Sequence, residues 1–315
     1  MNAVPLRLGS RRSPMAIAQS RLVADQITAA TGRAVEIVGV TTLGDVSKAQ
    51  LSQIGGTGVF VSALREALLN GEVDLAVHSL KDLPAKQPAE VALAAVPVRD
   101  DPRDALVTTD GAKLADLPAG ARIGTGSTRR AAQLLALRSD LRCVPVRGNA
   151  DTRMARIGAG EVDAVVLAYA GLVRISRLEA VSQIFELDEM LPAPGQGALA
   201  VECRPEDDEL VRLLAAVNDD KSMAATAAER SLLEVLGAGC SAPVAAYAAV
   251  TNDGLDMCAA VLSTDGSTVL RAHNRGTPAE ARQLGGGIAA ELLRAGAAQL
   301  IRVPQAPVST GNDAQ

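Results

Sequence analysis

Gly71-Glu72-Val73-Asp74-Leu75-Ala76-Val77 and Gly160-Glu161-Val162-Asp163-Ala164-Val165-Val166 repeat one phrase in two distant parts of the chain. In each, an acidic turn leads into an unbroken run of Leu, Ala and Val. A continuous apolar run of this length reads as a strand buried on both faces of a parallel sheet. A second pair of echoes stands upstream of each copy: Arg7-Leu8-Gly9-Ser10-Arg11-Arg12 and Arg122-Ile123-Gly124-Thr125-Gly126-Ser127-Thr128-Arg129-Arg130. Each echo is short, and chance similarity is the alternative. Taken together they suggest two lobes of similar topology facing a cleft.

Working outward, strands are expected at 4–9, 34–41 and 74–79, with helices at 13–30 and 59–69 between them. Ser13-Pro14 is an N-cap followed by proline at the first helical position. The pattern restarts with strands at 122–125, 141–146 and 163–168 and helices at 127–138 and 150–160. This alternation predicts an α/β fold with largely parallel pairing. Asp100-Asp101-Pro102-Arg103 and Pro192-Ala193-Pro194-Gly195 read as crossings between lobes, and an apolar strand at 197–203 as the return to the first lobe. The last third opens with a helix at 218–236, continues with strands at 244–251, 255–262 and 268–274, and closes with a helix at 278–298. Asp253-Gly254 and Asp265-Gly266 mark two hairpin turns. The expected division is 1–99 with 197–217 as lobe 1, 100–196 as lobe 2 and 218–303 as a small α+β domain. The composition of 304–315 predicts a disordered tail.

The 315 residues are 48% hydrophobic and 21% charged, a soluble globular balance large enough for several cores. No apolar run approaches the roughly 18 residues of a membrane helix, and the N-terminus shows no secretory apolar segment. A net charge of −5 and only four aromatic residues (Phe60, Phe185, Tyr169, Tyr247) argue against a nucleic-acid partner. Cys143, Cys203, Cys240 and Cys258 form no CxxC pair, so a reducing cytoplasm is expected, without zinc or disulfides. His78 and His273 are expected to make no metal constellation with them. Lysine occurs only at 48, 81, 86, 113 and 221, the other 26 basic residues being arginine. Genome composition explains such a bias; so does recognition of carboxylates or phosphates, for which the guanidinium fork is suited.

The arginines cluster at strand-to-helix junctions: Arg11-Arg12, Arg129-Arg130, and Arg147-Gly148-Asn149 followed by Arg153 and Arg156. Beside helix N-termini they make an anion site; otherwise they are solvated surface residues. Gly55-Gly56-Thr57-Gly58 reads as an anion cradle, a lid or a plain loop, but lacks the Gly-Lys-Ser/Thr ending of a P-loop. His78 reads as a core histidine before a catalyst. Lys81-Asp82 follows a buried strand at the edge where α/β proteins place ligands, with a helix cap or solvated turn as the bland reading. Cys240 sits in Gly237-Ala238-Gly239-Cys240-Ser241-Ala242-Pro243, a tight turn between helix and strand, whereas the other cysteines lie in apolar strands.

In order and spacing, these segments resemble the porphobilinogen deaminase (hydroxymethylbilane synthase) family, from about Leu6 to Arg302. The resemblance is carried by Gly9-Ser10-Arg11-Arg12-Ser13-Pro14, His78-Ser79-Leu80-Lys81-Asp82-Leu83-Pro84, Asp101-Pro102-Arg103-Asp104-Ala105, Gly124-Thr125-Gly126-Ser127-Thr128-Arg129-Arg130, Arg147-Gly148-Asn149, Leu191-Pro192-Ala193-Pro194-Gly195-Gln196-Gly197, Thr226-Ala227-Ala228-Glu229-Arg230 and Gly239-Cys240. It implies two lobes like those of periplasmic solute-binding proteins around a cleft, with a smaller third domain carrying the cysteine. It implies head-to-tail condensation of four porphobilinogen molecules, releasing ammonia and linear hydroxymethylbilane. The primer is a dipyrromethane cofactor held by a thioether that matches Cys240. By motif match, Ser13, Lys81, Asp82, Ser127, Thr128, Arg129, Arg130 and Arg147 are expected at the cofactor, and Arg11, Ser13, Arg147 and Arg153 at the substrate. Asp82 is the expected catalytic carboxylate, stabilising the cationic methylene-pyrrolenine left when ammonia departs.

The family often carries lysines where this chain reads Gln53-Ile54-Gly55-Gly56-Thr57-Gly58. Arg11, Arg12 and Lys81 are then expected to supply more of the cationic contact, so lysine at Thr57 should tighten substrate binding. A monomer is expected. The rivals are a two-lobed anion receptor without chemistry, a phosphate-ester enzyme using the glycine loops, and an inactive family member.

Overall fold

The structure is a computed structural model describing residues 4–40, 58–239 and 241–301. The chain starts with β1 (Leu6–Ser10), α1 (Pro14–Thr31), β2 (Val35–Gly39), α2 (Gly58–Leu69), β3 (Leu75–Ser79) and β4 (Ala92–Ala95). It continues with β5 (Asp104–Val107), β6 (Arg122–Gly124), α3 (Thr128–Leu137), β7 (Arg142–Val144), α4 (Ala150–Gly158), β8 (Ala164–Ala168), α5 (Tyr169–Arg174) and β9 (Val181–Ile184). Then come β10 (Leu199–Cys203), α6 (Asp208–Leu214) and α7 (Asp220–Leu236). The last elements are β11 (Val244–Thr251), β12 (Gly254–Leu262), β13 (Val269–Gly276), α8 (Ala281–Arg294) and α9 (Ala297–Ile301).

Two five-stranded sheets result, ordered β2-β1-β3-β10-β4 and β7-β6-β8-β5-β9. They have one plan: three parallel strands, then a fourth strand that arrives from the other lobe and pairs antiparallel with both neighbours. The echoes in the sequence make the same contact in each. The Arg7 backbone N–H and Nη2 donate to Asp74 at 2.8 and 2.7 Å; those of Arg122 donate to Asp163 at 2.7 and 2.8 Å. In both lobes an arginine on the first strand is thus clamped to the acid that opens the third.

The chain crosses between sheets twice, after β4 and before β10. The crossings touch: Gly197 has φ 87°, and a Cβ there would overlap the Asp100 carbonyl oxygen. Only glycine tolerates both the left-handed conformation and that approach. Arg174 ties the crossings together, donating to Asp100 Oδ2 at 2.9 Å and to the Gly197 carbonyl at 2.6 Å.

The third unit packs α7 and α8 on one face of the antiparallel sheet β11-β12-β13, around Leu232, Val244, Met257 and Ile288. The helices approach so closely that a Cβ at Gly285 would collide with the Ala228 carbonyl. The helix expected over 278–298 is broken: a 3-10 turn at Pro278–Glu280 precedes α8, and Gly296 at φ 100° separates α8 from α9. The capping box of Thr277 and Glu280 fixes the start, and glycine at positive φ ends the helix as such residues do. Sequence reading also passed over β4, β5 and β9, strands of four residues, too short to show a period.

Candidate active site

The 3-10 turn Leu80–Asp82 leaves the end of β3, the middle strand of the first sheet, and carries Lys81 and Asp82. From the second lobe, α3 starts just past β6 and α4 just past β7. Ser127 caps α3, accepting from the Arg130 N–H, and Asn149 caps α4, accepting from Thr152 N–H. Ser13 caps α1 by accepting from Ala16 N–H at 3.3 Å. Each cap is the short polar residue that satisfies an otherwise unpaired helical N–H, and each seryl hydroxyl keeps a proton to donate.

The two lobes meet through Gln196 of the second crossing. Lys81 Nζ donates to Gln196 Oε1 at 3.2 Å, and Gln196 Nε2 donates to Asp104 Oδ1 at 2.9 Å and to the Pro102 carbonyl at 2.7 Å. Asp104 is fully buried between Arg129 and Arg130, each with a 2.7 Å contact. Burial opposes its charge, but the two guanidiniums outweigh burial and hold the carboxyl well below the usual range. Arg129 Nη1 also donates to the Leu191 carbonyl at 2.6 Å, and Arg130 Nη1 to the Val166 carbonyl at 3.0 Å.

The solvated-surface reading therefore fails for Arg129 and Arg130, which are 3% and 5% exposed. Arg153 is half-buried and donates from Nε to the Gly148 carbonyl at 2.8 Å; Arg147 is exposed. Arg153 and Lys81 both lie within electrostatic reach of Asp82 and Arg130. Lys81 keeps some accessible surface, yet the density of protein around its ammonium, then the charge of Arg130, lower its pKa to about 8. Desolvation likewise lowers Arg153, with Arg130 adding to it and Asp82 opposing. Lys81, Arg129, Arg130 and Arg153 thus set four cations against the carboxylates of Asp82 and Asp104. A site that depresses its own lysine by crowding and like charge is built to receive an anion.

Ser13 and Arg11 are half-buried beside the start of α1, and Arg12 is exposed. Thr128 joins α3 to the third unit: its Oγ1 donates to the Ser241 carbonyl at 2.5 Å. Cys240, Gln53 and Thr57 lie outside the described residues. Sequence reading assigned no role to Asp104 or Gln196, although both stood in quoted motifs. Their signal was there, but only the fold shows that they buttress Lys81, Arg129 and Arg130. His78 is a buried partner of Glu202, Nε2 to Oε2 at 3.2 Å, as its core reading expected.

Residues 6–212 match the family model described as porphobilinogen deaminase, dipyromethane cofactor binding domain, and residues 223–294 match the porphobilinogen deaminase C-terminal domain. The chain belongs to the porphobilinogen deaminase family. It is 56% identical over 310 residues to porphobilinogen deaminase of Thermobifida fusca, covering 96% of this chain and 97% of that one. Porphobilinogen deaminase 1 of Streptomyces coelicolor is 52% identical over 314 residues, covering 96% and 98%. Solved structures with a likeness include the methionine binding protein MetQ, with a TM-score of 0.44 at 12% identity over 67% of this chain and 89% of that one. A periplasmic substrate-binding protein from Coxiella burnetii has a TM-score of 0.41 at 17% identity, covering 67% and 91%. The reaction of a porphobilinogen deaminase is that of a transferase, hydroxymethylbilane synthase, and its cofactor is dipyrromethane. The cation cluster suits that group, whose carboxylate side chains would meet Lys81 and the arginines and whose pyrrole N–H groups would find an acceptor in Asp82.

Proposed function

We propose that this chain makes hydroxymethylbilane with Asp82 as its catalytic carboxylate and Cys240 as the thioether anchor of the dipyrromethane. The observation that carries the reading is the excess of positive charge around Asp82, contributed by both lobes. When bound, the dipyrromethane supplies the terminal pyrrole to which incoming units are joined. The chain's own residues do the rest. Lys81, Arg130, Arg153 and Arg147, with Arg11 and the hydroxyls of Ser13 and Ser127, hold acetate and propionate groups. Arg129 acts chiefly by fixing Asp104 and the start of α3. Asp82 accepts from pyrrole N–H and stabilises positive charge that grows as ammonia leaves the substrate. Thr128 holds Ser241, the residue after Cys240, against the N-terminus of α3. A covalent anchor makes every coupling intramolecular, which raises the effective concentration of the reacting ends.

The proposed units are 1–99 with 197–217, 100–196 and 218–303. The enzyme is proposed to act as a cytoplasmic monomer on the small-molecule substrate porphobilinogen. No helix among the described residues is long and apolar enough to cross a membrane.

The test is the intact mass of the denatured protein beside a Cys240→Ser variant. Two linked pyrrole units of added mass, absent from the variant, are expected. A chain that stays unmodified after incubation with porphobilinogen would overturn the reading and favour an anion receptor.

A further inference from the structure

Among the described residues, one group of three metal-ligating side chains lies on the sheet of the third unit: Asp256, Cys258 and His273. The histidines are expected to make no metal constellation with the cysteines, yet the antiparallel register of β12 and β13 places Cys258 directly opposite His273. Asp256 lies two residues before Cys258, and side chains alternate along a strand, so all three share one face. That face is opposite Met257, Ala259 and Ala272, which enter the core under α7 and α8. One ligand atom from each of the three residues lies within 4.8 Å of the others.

The local bonds orient the donors. Arg275 donates from Nε to Asp256 Oδ2 at 2.9 Å and its Nη2 lies 2.9 Å from the same oxygen, while His273 Nε2 stands 2.9 Å from Oδ1. One carboxylate oxygen is therefore held by a guanidinium, while the other is turned toward the imidazole. Orientation of a ligating carboxylate by an outer hydrogen bond is a recurrent feature of metal sites.

We propose that Asp256, Cys258 and His273 bind a divalent cation of the zinc class, with water at a fourth position. Thiolate, imidazole and carboxylate form a mixed set that suits a borderline-soft ion rather than calcium or magnesium. Bonds of about 2.0–2.3 Å in a tetrahedron put ligand atoms roughly 3.3–3.7 Å apart. Rotation of His273, whose side chain is 52% exposed, supplies the closure. The ion takes the place of the His273–Asp256 hydrogen bond, and the Cys258 thiol gives its proton to solvent as the metal–sulfur bond forms. Thiolate and carboxylate together neutralise the dication. Its effect is to cross-link β12 and β13 and stabilise the third unit by mass action.

The experiment uses untagged, chelator-treated holoenzyme titrated with Co²⁺ near neutral pH. One equivalent should produce a thiolate-to-cobalt charge-transfer band with tetrahedral d–d absorption, and Zn²⁺ should abolish it. Cys258→Ser should lose the band, and His273→Ala should weaken cobalt binding by at least about tenfold. Cys143→Ser should keep it. Formation of hydroxymethylbilane from porphobilinogen by each variant reports that it folds, and the exposed His273 position keeps the test open if Cys258→Ser does not. No thiolate–cobalt band at tenfold excess metal, or a band that survives Cys258→Ser, would overturn the proposal.

Discussion

Arg99 and Glu229 are joined by two hydrogen bonds, Nη1 to Oε1 at 2.7 Å and Nη2 to Oε2 at 3.2 Å, at the meeting point of both lobes and the third unit. Arg99 belongs to the first crossing and also donates to the Gln196 carbonyl of the second. Glu229, on α7, accepts further from the N–H groups of Gly195 and Ala248. One carboxylate thus satisfies donors from three segments, and its side chain is fully buried.

Glu229→Gln should therefore cost about 3–5 kcal/mol, because it leaves the Arg99 guanidinium buried without its counter-charge. Urea unfolding measures this; a loss under about 1 kcal/mol would mean that the junction relaxes freely.

Lys81 gives a pH signature. Its folded pKa of about 8 lies below the ordinary 10.5, so the unfolded chain binds more protons between those values and stability rises with pH across that window. A bound carboxylate favours the charged lysine, so substrate affinity should fall as pH rises through about 8. Lys81→Met should flatten both trends. KM profiles and denaturant midpoints across the alkaline range test this.

Asp82→Asn keeps the shape of the side chain but removes its charge. Loss of a transition-state electrostatic partner should lower kcat about 10²–10³-fold with a much smaller change in KM. An equal loss in binding and turnover would assign Asp82 to substrate positioning instead.

Thr128→Val removes the hydroxyl that holds the Ser241 carbonyl. One net hydrogen bond of about 1 kcal/mol corresponds to roughly a fivefold slower loading of dipyrromethane onto the apoenzyme. Mass spectra taken during reconstitution with porphobilinogen follow the rate, and unchanged loading would dismiss the contact.

Glu202 reports on acid stability. Burial resists its charge, but Arg65 and His78 lower its pKa to about 2 from 4.5. The folded state binds fewer protons than the unfolded one in that window, so this contribution is present above about 4.5 and lost as pH falls toward 2. In Glu202→Gln that part of the acid dependence should disappear, which denaturation at several acidic pH values would measure.

Much of the fold was legible because its signals are local. The apolar runs at Leu75 and Ala164, the Ser13-Pro14 start and the Asp-Gly turns each act within a few residues. The clamps of Arg7 to Asp74 and Arg122 to Asp163 then explain why the echoes exist. The site was less legible. Arg129 and Arg130 read alike with Arg11 and Arg147 in sequence, yet the first two are buried on Asp104 while Arg147 is exposed. Burial depends on which lobe covers a residue, and no local pattern carries that information.

The sequence by itself determined the longer strands and helices, the duplicated lobe plan and the family, since periodicity, capping and motif spacing are properties of neighbouring residues. Only the tertiary structure decided that Gln196 bridges Lys81 to Asp104, that Glu229 closes the three-way junction and that Cys258 faces His273. Each of these joins residues from separate elements, and their partnership follows from strand register and lobe packing, which are set by burial across the whole chain.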